Sequence, residues 1–184
     1  MNLPKFIALS QGLILYQDCS FDVEDLPETF ANADALNILS EHRELQNIIP
    51  PQSILTPHPK EFERLVGVSR NDLDRVNNLK KFAMQTKTVV VLKGACSAIA
   101  TPDGKIYFNS TGNPGMATGG SGDVLTGLLT GLLAQRYPPE TAALIGVYIH
   151  GLAGDYAMKK KGMNAMIASD IIECFSEAFM SFGR

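Results

Sequence analysis

The chain is poor in most of what small scaffolds and common catalytic sites are built from. Its three cysteines, Cys19, Cys96 and Cys174, are odd in number, far apart and without a CxxC pair. That excludes a disulfide framework and a cysteine zinc site, and it fits a reducing cytoplasm. Positive charge is not in excess: the formal net charge is -3, whereas a nucleic-acid binder would normally present a basic face. The one basic run, Lys159 to Lys161, ends an apolar helical pattern just before Gly162, where cations favour a helix C-terminus. No apolar run reaches the ~18 residues of a membrane span. The first residues, Met1 to Lys5, lack the basic n-region and long h-region of a signal peptide. Absent too are an HExxH pair, a placeable Ser-His-Asp set, a Walker A sequence, internal repeats and low-complexity segments. The expectation is a soluble, cytoplasmic protein with no nucleic-acid or membrane partner.

What the chain does have is glycine in one place. The stretch Asn109 to Asp123, NSTGNPGMATGGSGD, holds five glycines and runs straight into the apolar segment Val124 to Leu133. Glycine lets a backbone take positive φ and approach a ligand without a Cβ in the way. The leucine spacing that follows is that of a buried helix, so these glycines stand at a helix N-terminus. Unpaired amides and the positive end of the helix dipole suit a phosphate there. Gly120 and Gly122 are the candidate anion-hole residues, and Asp123, at the first or second helical position, is the candidate general acid/base. The competing explanation is a flexible turn into a tightly packed helix with a solvated aspartate cap. The length of the glycine-rich stretch favours the phosphate site.

The remaining chain reads as alternating strands and helices. Residues 1 to 30 are the least regular: Phe6, Leu9, Leu13 and Tyr16 keep helical spacing, and Cys19 to Pro27 is acidic and loop-like. Ala33 to Leu45 predicts a helix ended by Pro50-Pro51, and Ser53 to Thr56 a short strand. Pro57 and Pro59 hold the chain extended and pre-set a helix from Lys60 to Val66 that closes on Gly67. Ser69 is the expected N-cap of the next helix, with Leu73, Val76, Leu79 and Phe82 on its inner face. Val89 to Leu92 is a β-branched run of the kind found in a strand covered on both sides. Ala98 to Ala100 and Ile106 to Phe108 flank a turn and predict a hairpin. Helices are expected over 124–135 and 139–160, and Ser169 is expected to cap a last one carrying Ile171, Ile172, Phe175, Phe179 and Phe182. At 184 residues this is one α/β domain, 1–184, with helices on the faces of a mostly parallel sheet.

Further candidates lie at strand ends. Lys93-Gly94-Ala95-Cys96-Ser97 follows the buried strand, where ligands of α/β sheets bind, and Lys93 could meet a phosphate there. Otherwise it is a lysine at the surface end of a strand. His58, fixed between two prolines, is either a ligand contact or a turn histidine. Glu61 either favours a helix dipole or holds a magnesium ion through water. His42, in an exposed polar run, and His150, inside a helix, read as structural.

With these residues assembled, the chain resembles the ADP-dependent NAD(P)H-hydrate dehydratases of the ribokinase-like superfamily. The resemblance is carried by NADALN (32–37), LTPHPKEF (55–62), VLKGA (91–95) and NPGMATGGSGD (113–123), with weaker support from HGLAGD (150–155) and ASD (168–170). It implies a ribokinase-like fold and a repair reaction: ADP phosphorylates the hydroxyl of a hydrated nicotinamide cofactor, AMP and phosphate leave, and NAD(P)H is restored. It further implies that Lys93, Gly94, Ala95, Cys96, Ser97 and Gly122 hold the adenine nucleotide. His58 and Asp123 would contact the hydrate, with Asp123 as base, Mg2+ as cofactor and a homotetramer as the assembly. Family members normally begin well before this chain, residues 1 to about 30 match poorly, and Asn32 stands where Asp is usual. A sheet lacking its first strands is therefore expected. Two rivals remain: a small-molecule kinase of the same superfamily, against which His58 speaks because those kinases usually carry Asn there, and a nucleotide-binding remnant without turnover.

Overall fold

A computed structural model of the chain describes residues 30–31 and 33–182. The expected helical spacing from Phe6 to Tyr16 and the loop from Cys19 to Pro27 lie outside the described residues. Within them, chain contacts define two compact units, one made of the chain up to Gly94 plus Ala98–Tyr107, the other of Ala95–Ser97 and the chain from Phe108 onward. Among the described residues no helix is long and apolar enough to cross a membrane.

The first unit is built on a sheet with strand order β1-β2-β3-β4-β5. Its strands are β1 (Phe30–Ala31), β2 (Ile54–Leu55), β3 (Val89–Leu92), β4 (Ala98–Ala100) and β5 (Ile106–Phe108). β1 and β2 are parallel, as are β2 and β3, with Ile54 opposite Val89 and Leu55 opposite Val90. β4 returns antiparallel along β3, pairing Val91 with Ile99. All four residues of β3 are buried, as its unbroken β-branched run predicts. Val90, Leu92, Leu55, Ala98 and Ala100 give their shared face to a core completed by Ala35 and Leu36 of α1 (Ala33–Glu41), Phe62 and Leu65 of α2 (Pro59–Val66), and Leu79, Phe82 and Ala83 of α3 (Asp72–Thr86). Phe62 and Phe82 meet edge to face at 6.1 Å.

Three local expectations are corrected here. The helix expected over 33–45 stops at Glu41: Ser40 Oγ donates to the Asn37 carbonyl at 2.7 Å and competes with the last helical turn. His42 then leaves helical geometry (φ -120°, ψ 75°), and Arg43–Ile48 winds as a 3-10 helix. Asn71, not Ser69, caps α3, its side chain accepting from Asp74 N at 2.8 Å, while Ser69 Oγ accepts from Asn78 Nδ2. Leu73 therefore falls in the first turn and is 72% exposed, and the buried face is Leu79, Phe82 and Ala83.

The second unit is helical: α4 (Ser121–Ala134), α5 (Pro139–Lys161), α6 (Ala168–Glu173) and α7 (Phe175–Phe182). Leu125, Leu129, Leu132 and Leu133 form the buried face of α4. α5 is buried on nearly every side, from Ala142 to Ala157, and ends as expected in three lysines before Gly162 at φ 80°. The last segment is not one helix capped by Ser169. Asp170 Oδ2 accepts from Ile167 N at 2.8 Å and starts α6. A tight turn from Cys174 N to the Ile171 carbonyl then separates α6 from α7. Ile171, Cys174 and Ala178 are buried, whereas Ile172 and Phe182 are about half exposed.

Candidate active site

In the first unit, the carboxyl ends of the adjacent parallel strands β2 and β3 are tied together by Lys93 N donating to the Pro57 carbonyl at 2.9 Å. His58 follows as the N-cap of α2, held extended (φ -82°, ψ 168°), with Pro59 at the first helical position. His58 Nδ1 accepts from Glu61 N at 3.2 Å, and Glu61 Oε2 accepts from His58 N at 2.6 Å. This is a capping box with histidine in the usual Ser/Thr place. His58 Nε2 lies 3.3 Å from Glu61 Oε1, and Lys93 Nζ 4.0 Å from Glu61 Oε2. One ring nitrogen accepts while the other faces a carboxylate, which the neutral imidazole protonated on Nε2 satisfies. His58, Glu61 and Lys93 are thus brought together, with Glu61 buried and His58 half exposed.

Both carboxylate oxygens of Glu61 are engaged within the cluster, and among the described residues no three His, Cys, Asp or Glu side chains converge on one metal position.

In the second unit, the loop Ala95–Ser97 is joined to the start of the glycine-rich stretch by Asn109 N donating to the Ser97 carbonyl at 2.9 Å. Ala95 and Cys96 are exposed, as is Gly94 before them. The glycine stretch then delivers α4. Gly120 is its N-cap at φ 87°, ψ -14°, a left-handed conformation that a Cβ would strain, and no side chain caps the helix. Ser121 N is closed by the Thr118 carbonyl at 3.3 Å and Val124 N by the Gly120 carbonyl at 3.0 Å, leaving the amides of Gly122 and Asp123 without a backbone partner among the described residues. Asp123 is the third helical residue rather than the first or second, and its exposed carboxylate makes no hydrogen bond or ion pair among the described residues. Open amides and a free carboxylate share one helical turn, so a phosphate bound to the amides would lie beside a base.

A residue read from the sequence as merely structural also belongs to this surrounding. His150 of α5 is 8% exposed, and its Nε2 has no hydrogen-bond partner among the described residues. Burial pushes its pKa down to about 4, with the backbone of Ser121, the first residue of α4, acting in the opposite direction. The imidazole beneath the first turn of α4 is therefore neutral at physiological pH. In the sequence it was marked by its place inside a helix and by the HGLAGD (150–155) motif.

Residues 20–177 match the family described as NAD(P)H-hydrate dehydratase. The chain is 46% identical over 144 residues to the bifunctional NAD(P)H-hydrate repair enzyme Nnr of Moorella thermoacetica, covering 77% of this chain and 27% of that protein. It is 43% identical over 145 residues to the ADP-dependent (S)-NAD(P)H-hydrate dehydratase of Neisseria meningitidis, covering 76% of this chain and 49% of the relative. The crystal structure of the ADP/ATP-dependent NAD(P)H-hydrate dehydratase from Bacillus subtilis, co-crystallised with ATP and Mg2+, superposes with a TM-score of 0.73 at 34% identity. That match covers 84% of this chain and 55% of the crystallised one. The chain thus spans half or less of the length of these two curated relatives. Family match, sequence identity and backbone agree: the chain belongs to the NAD(P)H-hydrate dehydratase family and has the ribokinase-like fold.

Proposed function

We propose that the chain catalyses the ADP-dependent dehydration of the S epimer of NAD(P)H hydrate, restoring NAD(P)H with release of AMP and phosphate. The observation that carries this reading is the first turn of α4, where, among the described residues, the amides of Gly122 and Asp123 have no backbone partner and the exposed Asp123 carboxylate is unpaired. The Gly120–Gly122 segment takes the anion-hole role and stabilises charge on the transferring phosphoryl group. Asp123 takes the proton from the ring hydroxyl of the hydrate as that oxygen attacks the β-phosphorus of ADP, and the bond to AMP breaks. The lone pair of the ring nitrogen then expels phosphate from the phosphorylated carbon to leave an iminium, and loss of a proton from the adjacent ring carbon supplies the electrons that re-form the ring double bond. Hydrate and ADP thereby become NAD(P)H, AMP and phosphate.

Lys93, Gly94, Ala95, Cys96 and Ser97 are assigned to the nucleotide, Lys93 as a point charge for phosphate. His58 offers its half-exposed ring to the hydrate, held in one tautomer by Glu61. Magnesium is assigned no residue and no step. Assembly as a cytoplasmic homotetramer belongs to the same reading and rests on the family resemblance.

The test is to mix the full chain with chemically hydrated NADH, ADP and Mg2+ and follow the return of reduced-nicotinamide absorbance. Return that depends on ADP and is lost in Asp123→Asn supports the reading. A melting temperature raised by ADP without any return would instead make this a nucleotide-binding chain without turnover.

A further inference from the structure

The motif from His150 to Asp155 has a face that the site above does not use. α5 presents a bare strip to the chain entering the glycine-rich loop. At Gly151 a Cβ would stand 2.3 Å from Thr111 Oγ1 and 2.8 Å from the Thr111 backbone, so only glycine lets the loop lie this close. On that strip Thr111 Oγ1 donates to the Tyr148 carbonyl at 2.8 Å. One turn on, Asp155 closes the seat: Oδ2 accepts from Gly112 N at 3.0 Å and Oδ1 from Asn113 Nδ2 at 2.9 Å. Asn113 Oδ1 in turn accepts from Gly115 N at 3.0 Å and caps the short 3-10 turn Pro114–Met116. Both oxygens of Asp155 are engaged by loop donors. The amide of Asn113 has a dictated orientation, nitrogen to Asp155 and oxygen to Gly115.

We propose that Asp155 is a positioning residue that clamps the glycine-rich loop through Gly112 and Asn113 and so presents the open first turn of α4 to a phosphate. The inference rests on the phosphate reading of that turn. Asp155 itself is assigned no contact with substrate; it acts through the loop. A segment with five glycines has many conformations to lose, at about 1–2 kcal/mol per residue ordered. A clamp made during folding lowers the ordering cost at binding, so its loss weakens nucleotide affinity more than the chemical step.

The hydrogen-bond polarity supplies a specific test. Asp155→Asn leaves an amide NH2 facing that of Asn113, and Asn113→Asp sets two carboxylates against each other. The double exchange Asn113→Asp/Asp155→Asn restores a donor–acceptor pair, keeps an acceptor for Gly112 N and keeps one for Gly115 N. Measured on the full chain, each single variant is expected to speed hydrogen exchange of the Gly112–Asp123 amides and to weaken ADP binding, each by about tenfold. The exchanged pair is expected to return both towards the parent. Singles that lower the melting temperature but leave loop exchange and ADP affinity at parental values would overturn the clamp. So would an exchanged pair no better than the singles. A parent chain without ADP affinity, whose loop exchange still follows the swap, would refute the phosphate reading and leave the clamp standing.

Discussion

Two helices of this chain begin beside residues that the sequence marks for chemistry, and they begin in opposite ways. α2 starts at His58 with a reciprocal capping box, so that a buried Glu61 and a fixed imidazole satisfy the terminal amides. α4 starts at Gly120 with no side-chain cap, and the amides of Gly122 and Asp123 stay open. An unsatisfied helix start lowers stability, by about 1 kcal/mol for a missing cap, and persists where a ligand completes it. The closed terminus fixes a side chain in one tautomer. The open one is the anion receptor of the proposed function. In the proposed function the closed start, in the first unit, positions a side chain, and the open start, in the second, serves group transfer.

The largest effect expected on breaking this contrast is at Asp123. Asp123→Asn keeps the open turn and removes the proposed base, and should lower turnover of NADH hydrate roughly a hundred- to ten-thousand-fold while ADP still raises the melting temperature. Next comes pH, through His150 under the open turn. Its folded pKa of about 4 lies below the ordinary 6.5, so between these values the unfolded chain binds more protons than the folded one. Stability therefore rises with pH across that window: it is fully present above pH 6.5 and lost as pH falls towards 4, by about 3 kcal/mol. Unfolding free energies of the parent should show that slope, and those of His150→Leu a flatter one. Smaller again are the two helix starts themselves. Gly120→Ala forces a left-handed Cβ against Ala168, 3.2 Å away, at about 1–2 kcal/mol of stability, and should weaken ADP binding. Glu61→Ala opens the capping box of α2 at about 1 kcal/mol, read as a shift in urea midpoint.

Much of this was legible in the sequence because the signals were local. The glycine count of 112–122 marks the loop, the β-branched run 89–92 marks the buried strand, and the hairpin strands 98–100 and 106–108 lie where their turn residues put them. The capping box of α2 was not read because histidine is not a usual capping residue: His58 was left as a ligand contact or a turn histidine, and Glu61 as a dipole partner or a holder of magnesium through water. The clamp at Asp155 could not be read, since its partners lie 42 and 43 residues away and its geometry depends on two elements packing. The burial of His150 was hidden for a related reason: α5 is apolar on nearly all sides, so periodicity does not tell which face is most enclosed. The break at Cys174 has no glycine or proline to announce it and follows from packing.

The most direct test of the open-turn assignment is the backbone amide spectrum during titration with ADP. The amides of Gly122 and Asp123 are predicted to show the largest saturable shifts, while the amide of Glu61, already held by His58 Nδ1, moves little. ADP binding with Gly122 and Asp123 stationary, and the first turn of α2 moving in their place, would contradict the account.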